Sequence, residues 1–332
     1  MKKLSVIIIV LLLLCGCKKE SFDGKDRPSS CGKLQVVEDK LCDAKGNPVM
    51  LRGISNPGVS ISELYTTNET YKSISEVMGC NVIRLALYTK GMGIFGYCTS
   101  DYKDRYKQDI YDAVNYAKEN DMYVIVDWHI LDDKTPMKYL DDAKTFFEEV
   151  SAKLKNYNNV LYEICNEPNH CDWDEIKEYA DIIIPIIRNN DPKSVIIVGT
   201  PTWSQDVDVA ANDPLDYDNI MYTLHFYSAT HKEELRNRVQ VAIDKGLPIF
   251  VSEFGCVASN GGFPRDLDEA DIWIDFLENN NISYVMWNFS KSGEACAALK
   301  ANTTKIKDFT LDDFNDTGMW LINTIKERSA KE

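Results

Sequence analysis

Short apolar runs rich in Val, Ile and Leu alternate along the chain with longer stretches in which apolar residues recur every three or four positions. The runs fall at 49–55, 81–87, 122–129, 159–166, 194–200, 219–225, 248–254 and 282–288. They are short for helices and nearly continuous in apolar character, as parallel strands covered on both faces are. Helical spacing fills 104–119, 143–155, 176–189, 233–245 and 267–279, and returns near the end at 320–327. Eight strand–helix units with no second period predict an α/β fold, a (β/α)8 TIM barrel in a single domain, over an open doubly wound sheet. Neither G-x-G-x-x-G nor G-K-[ST] occurs, so no phosphate-binding turn is predicted. Ahead of the first run, 33–37 and 40–42 flank an acidic pair and predict a short β-hairpin across the barrel bottom.

The first residues follow another logic. Lys2 and Lys3 precede an apolar stretch over 4–14 that is short for a spanning helix, and Leu14-Cys15-Gly16-Cys17 follows. That ending resembles the lipobox of bacterial lipoproteins, with Cys17 as the lipidated residue; an ordinary cleaved leader or a short anchor helix is the alternative. The expected organisation is a leader over 1–16, a lipidated polar tether over 17–31 and one barrel domain over 32–332. An exported protein results, held on a bacterial membrane, at the outer membrane or cell surface, through its N-terminal lipid alone. It is expected to be a monomer. The formal charge of -15 becomes two units more negative once Lys2 and Lys3 leave. A domain so acidic repels nucleic acid and anionic surfaces and favours neutral partners. Of ten cysteines, eight remain after Cys15 and Cys17, an even number that in an exported chain predicts disulfides. Cys256 with Cys296 is the first choice and Cys165 with Cys171 a weaker one, while Cys80 fits equally as a free core thiol.

The strand ends carry the chemistry. Leu161-Tyr162-Glu163-Ile164-Cys165-Asn166-Glu167-Pro168 is an apolar strand running into a proline-stopped polar loop, and Ile249 to Gly255 repeats the device with Glu253. An isolated glutamate in a loop is usually a solvated surface group. Here Arg84 lies within the second strand, Trp128 and His129 end the third, His225 and Tyr227 end the sixth, and Trp287 ends the eighth. Each alone reads as packing. Together, at the edge where barrel enzymes build their sites, they predict one pocket.

These residues resemble glycoside hydrolase family 5, the cellulase family, and in particular its bacterial endo-β-1,4-glucanase subgroup. The resemblance rests on Asn166-Glu167-Pro168, Glu253, V-I-R-L-A-L-Y ending at Tyr88, V-D-W-H-I-L from Val126, V-G-T-x-T-W-S-Q-D-V from Val198 and L-H-F-Y-x-x-T-H from Leu224. It implies retaining hydrolysis of a β-glucan, with Glu167 as acid/base and Glu253 as nucleophile. Arg84 and Tyr227 are then expected to keep Glu253 ionised, His129 and His225 to orient the pair, and Asn166 to hold a sugar hydroxyl. Trp287 stacks beneath the sugar, with Tyr88, Trp203 and Lys291 as further substrate-binding positions. The chain departs from the subgroup after the first strand, where Pro57 and Ile61 stand in place of a histidine and an aromatic. Phe254, where tryptophan is common, is a milder change.

His129, His170, His225 and His231 lack zinc-helix spacing and no calcium loop occurs, so neither metal nor cofactor is predicted. Other family 5 activities (lichenase, mannanase, xyloglucanase) and a catalytically silent glycan-binding lipoprotein are the alternatives to an endoglucanase.

Overall fold

The structure, a computed structural model, describes residues 25–60, 65–90 and 96–330. The leader, Cys17 and Ile61 lie outside the described residues. A single helical turn, α1 (Pro28–Cys31), precedes the hairpin β1 (Gln35–Val37) and β2 (Lys40–Cys42), which pair antiparallel. Eight strands then form a closed barrel: β3 (Arg52–Ser55), β4 (Val82–Tyr88), β5 (Tyr123–His129), β6 (Val160–Glu163), β7 (Ile196–Val198), β8 (Ile220–Tyr227), β9 (Ile249–Gly255) and β10 (Tyr284–Met286). Consecutive strands pair in parallel and β10 closes on β3. The helices are α2 (Asn68–Glu76), α3 (Lys103–Glu119), α4 (Leu140–Leu154), α5 (Trp173–Asn190), the short α6 (Pro201–Ser204) and α7 (Val207–Ala210), α8 (Glu233–Asp244), α9 (Leu267–Asn279) and α10 (Asp316–Ser329). The predicted (β/α)8 barrel is the fold observed.

Strand alternation divides the core in two. Ile83, Leu85, Leu87, Val124, Val126 and Trp128 face outward into the layer packed on the helices. Val82, Tyr123, Ile125, Leu161, Ile197, Met221, Phe250 and Val285 face inward, where Leu34 and Leu41 of the hairpin region close the barrel bottom over them. Above that apolar plug the inward series turns polar: Val82 is followed two residues on by Arg84, Ile125 by Asp127, Leu161 by Glu163 and Met221 by Thr223. All four of these polar residues are completely buried. The plug seals the bottom, so the polar upper half opens only toward the strand ends.

The tether expected through residue 31 ends sooner. Arg27 is buried, and its Nη1 donates to Ser75 Oγ (2.9 Å) and to the Asp121 carbonyl (3.2 Å). Ser29 N donates to the Asp121 carboxylate (2.8 Å). A fixed guanidinium needs such acceptors, and they bind the chain to the barrel bottom from Arg27 onward. The expected disulfides are not formed either: all eight described cysteines are free. Cys256 turns to the Thr317 side chain, whereas the Cys296 sulfur lies 3.9 Å from Asn288 Nδ2 and 3.8 Å from Glu294. Cys165 is buried against Gly199 and Cys171 faces the Lys134 carbonyl at 3.9 Å. No helix among the described residues is long and apolar enough to cross a membrane.

Candidate active site

Arg84 is the hub. Its Nε and Nη2 donate to Glu163 Oε2 (2.7 Å) and Oε1 (3.1 Å), a bidentate fork, while Nη1 donates to Glu253 Oε2 (2.9 Å). Nη2 also reaches Asn166 Oδ1 (2.6 Å) and Asp127 Oδ2 (3.0 Å). A guanidinium inside a barrel is tolerated only when every N–H and the charge are matched, and three carboxylates do this from β5, β6 and β9. Burial opposes the Arg84 charge, but these carboxylates overcome it and drive its pKa further up.

Two arms extend from the hub. In the first, Glu253 Oε1 accepts from the Tyr227 hydroxyl at 2.7 Å, so both its oxygens are engaged by donors suited to an anion. In the second, Ser252 Oγ donates to Glu163 Oε1 (2.8 Å) and meets His225 Nε2 (3.0 Å), and His225 Nδ1 faces Glu167 Oε1 (2.9 Å). The β8–β9 register sets His225 directly opposite Glu253. As a result, single donor atoms of Glu167, His225 and Glu253 lie within 4.8 Å of one another. That spacing alone would admit a cation, but the Glu253 oxygens already receive Arg84 and Tyr227 and His225 Nδ1 already faces Glu167.

The two glutamates sit in unlike surroundings. Burial pushes the Glu167 carboxyl up to about 8, against the pull of Arg84 and with help from Glu163. Burial likewise lifts Asp127 to about 8 despite Arg84, and raises Glu163 against the same guanidinium. His129 and His225 are held neutral, pushed down by burial to about 3 and about 4. The site therefore offers a carboxyl that keeps its proton near neutrality beside a carboxylate cradled by a cation and a phenol. One oxygen of each lies within 4.8 Å of the other, which accords with the ~5 Å carboxyl separation of retaining glycosidases.

The remaining expected residues divide. His129 Nδ1 contacts Asp127 Oδ2 at 2.7 Å, and its ring lies between Tyr88, with centroids 4.2 Å apart, and Trp287, stacked at 5.4 Å with the planes 10° apart. Asn166 Nδ2 donates to the Ile130 carbonyl (2.8 Å) and lies 3.5 Å from His129 Nε2, so with its oxygen facing Arg84 the whole amide is engaged by the protein. Trp203 sits on a left-handed turn, 43% exposed, its N–H bonded to the Pro168 carbonyl next to Glu167. Lys291 donates from its ammonium to the Thr303 carbonyl (3.0 Å). Phe254 is fully buried and stacks on Phe226 at 5.2 Å, which makes it a packing residue of the outer layer. Gly199 lets the loop carrying Asn166 and Glu167 lie close, since a Cβ there would come within 2.4 Å of the Cys165 carbonyl.

Asp127, Glu163 and Ser252 were not singled out from sequence. Their signal was a polar residue two positions along from an inward apolar one, hidden because the outward residues between them keep the run apolar. None of these groups lines the cavity of about 700 Å³ on the outer face between α3 and α4, around Tyr97, Lys103 and Glu149.

The family model for cellulase, glycosyl hydrolase family 5, matches residues 42–293. The chain belongs to glycosyl hydrolase family 5. As a member it is a retaining glycoside hydrolase. Endoglucanase A of Butyrivibrio fibrisolvens is 44% identical over 300 residues, covering 89% of this chain and 69% of that protein. An endoglucanase of Clostridium saccharobutylicum is 40% identical over 323 residues, covering 96% and 71%. Among solved structures, the catalytic domain of Thermobifida fusca endoglucanase Cel5A in complex with cellotetraose superposes on the family 5 barrel with a TM-score of 0.85. It is 33% identical, and the match covers 90% of this chain and 99% of that one.

Proposed function

We propose that this family 5 enzyme is an endo-β-1,4-glucanase that cleaves internal bonds of cellulose or soluble β-glucans. Glu167 is the acid/base and Glu253 the nucleophile. The observation that carries this division is the contrast between two glutamates with oxygens within 4.8 Å: Glu167 is lifted to about 8 by burial, whereas Glu253 receives Arg84 and Tyr227. In the first step Glu253 attacks the anomeric carbon as the Glu167 proton passes to the departing glycosidic oxygen, giving a glycosyl ester on Glu253. In the second, Glu167, now ionised, takes a proton from water, the water oxygen bonds to the anomeric carbon, and the Glu253 carboxylate leaves. Two inversions give retention.

Trp287, parallel to His129 at the rim of the pocket, is the platform for the sugar at the cleavage point, and Asn166, whose Nδ2 lies 3.5 Å from His129 Nε2, is the residue assigned to a sugar hydroxyl. Relatives named endoglucanase and a structural neighbour holding cellotetraose support β-1,4-glucan as the substrate. Export and attachment through Cys17 belong to the same reading, supported by Leu14-Cys15-Gly16-Cys17. Soluble cellulose derivatives, mixed-linkage glucan, xyloglucan and mannan should be offered in parallel, with product lengths recorded. Rapid loss of chain length on the cellulose derivative, with oligosaccharide products, is expected. Preference for mannan, or release of single sugars without loss of chain length, would contradict the proposal.

A further inference from the structure

Ser252 bonds neither reacting carboxyl, yet its hydroxyl bridges Glu163 Oε1 and His225 Nε2, which stand 3.9 Å apart, beyond hydrogen-bond reach of each other. Its hydroxyl lies 2.8 Å from Glu163 Oε1 and 3.0 Å from His225 Nε2, and it also meets Thr223 Oγ1. Beyond the imidazole, His225 Nδ1 is 2.9 Å from Glu167 Oε1. Ser252, Glu163 and Thr223 are completely buried, so the protons along this chain are settled among the side chains themselves.

The proton count follows from valence. A serine hydroxyl has one hydrogen and two lone pairs. Glu163 takes the Arg84 fork on both oxygens, which opposes the upward push of burial, and toward Ser252 it stands as the acceptor. The Ser252 hydrogen is thereby committed to Glu163, and its lone pairs face Thr223 and His225. His225 Nε2 must then bring a hydrogen to the contact. A neutral imidazole has one N–H, so Nδ1 carries a lone pair, and the hydrogen in its contact with Glu167 comes from Glu167. Burial, which holds His225 down to about 4, keeps the ring neutral.

We propose that Ser252 is a positioning residue that fixes His225 in its Nε2–H tautomer and through it keeps the proton on Glu167. The inference rests on the reading of Glu167 as acid/base and adds the device that sets its protonation. Once Glu167 has given its proton to the leaving oxygen, its carboxylate faces a bare imidazole nitrogen. That repulsion favours taking a proton from the incoming water. The charged and titratable groups around Glu167 are His225 and Tyr227 from β8, Arg84 and Tyr88 from β4, Asp127 from β5, Glu163 from β6 and Glu253 from β9. Around His225 stand Glu253, Arg84, Glu163 and His129.

The test is the pH dependence of kcat/KM on a soluble β-glucan for wild type, Ser252→Ala and Ser252→Thr. Without the hydroxyl, His225 is free to adopt the Nδ1–H tautomer and donate to an ionised Glu167, which lowers the Glu167 pKa. The alkaline limb of Ser252→Ala should fall by about one pH unit while the acid limb stays, and Ser252→Thr should keep the wild-type limb. A merely structural role would lower the rate at every pH, and an unmoved alkaline limb in Ser252→Ala would overturn the proposal. Should that variant fail to fold, nitrogen NMR of the wild type decides: hydrogen on His225 Nε2 is expected, and hydrogen on Nδ1 contradicts it. Failure of the acid/base assignment looks different, since Glu167→Ala would then still cleave the glucan.

Discussion

A carboxyl group that must stay protonated near neutrality costs its protein folding free energy whenever the pH exceeds the ordinary carboxylate value. Glu167 is such a group, with a side chain only 12% exposed and a pKa lifted to about 8 by burial. Its folded value lies above its unfolded value, so its contribution to stability is fully present below about pH 4 and is lost as the pH rises through about 8. Glu167→Gln removes the titration and places an amide N–H opposite the lone pair of His225 Nδ1. The variant should melt at the same temperature as wild type near pH 4 and several degrees higher near pH 8, a difference of order 1–3 kcal/mol. His129 and His225, pushed down, act in the opposite sense: their contribution is present above the ordinary histidine value and lost as pH falls toward about 4. Both proteins share that loss, so it cancels in the comparison, and equal melting temperatures across the range would refute the assignment. At this scale Arg84 announced in the sequence that it needed a carboxylate, and Glu253 was the visible partner. Asp127 and Glu163 were not, because a charged residue inside a strand is masked by the apolar neighbours that point the other way.

At the scale of elements, the eight barrel strands were legible because both of their faces are covered, which writes them as continuous Val, Ile and Leu. The large amphipathic helices were legible for the complementary reason that only one face is covered. Helix α2 left no such trace: Asn68–Glu76 carries Tyr71 and Ile74 as its large buried apolar side chains, and Thr67 starts it by accepting from Thr70 N. The turn after β7 was also illegible, since Thr202, Trp203 and Ser204 all adopt positive φ that tertiary contacts impose, among them the bond from Trp203 N to the Pro168 carbonyl. The hairpin was legible as an element and in its place, because its apolar neighbours needed a surface and the barrel bottom was the one left. Cysteine count misled where geometry decided: an even number says nothing about where each sulfur points.

For the whole molecule, the chain that enters the barrel from the N-terminus is tied to its bottom at Arg27 and Ser29, opposite the strand ends where the carboxylates gather. A lipid at Cys17 would thus hold the enzyme by the end away from its site, leaving the site toward the polymer. Replacing Cys17 with Ser should move the protein from the membrane fraction to the soluble one, and wild-type protein that takes up no lipid label would contradict the anchor. The acidic charge of -15 fits a neutral polymer as partner, since attraction then comes from stacking and hydrogen bonds at the open end of the barrel.

If Glu253 attacks while Glu167 moves the proton, as proposed, the anomeric configuration of the product records that division. Proton NMR of the wild-type reaction should show the β-anomer first. With Glu253→Ala, turnover should fall by about three orders of magnitude or more, and added azide should restore part of it as the α-glycosyl azide, formed from the side the carboxylate vacated. An α-anomer from wild type, or near-native turnover by Glu253→Ala without azide, would contradict the account.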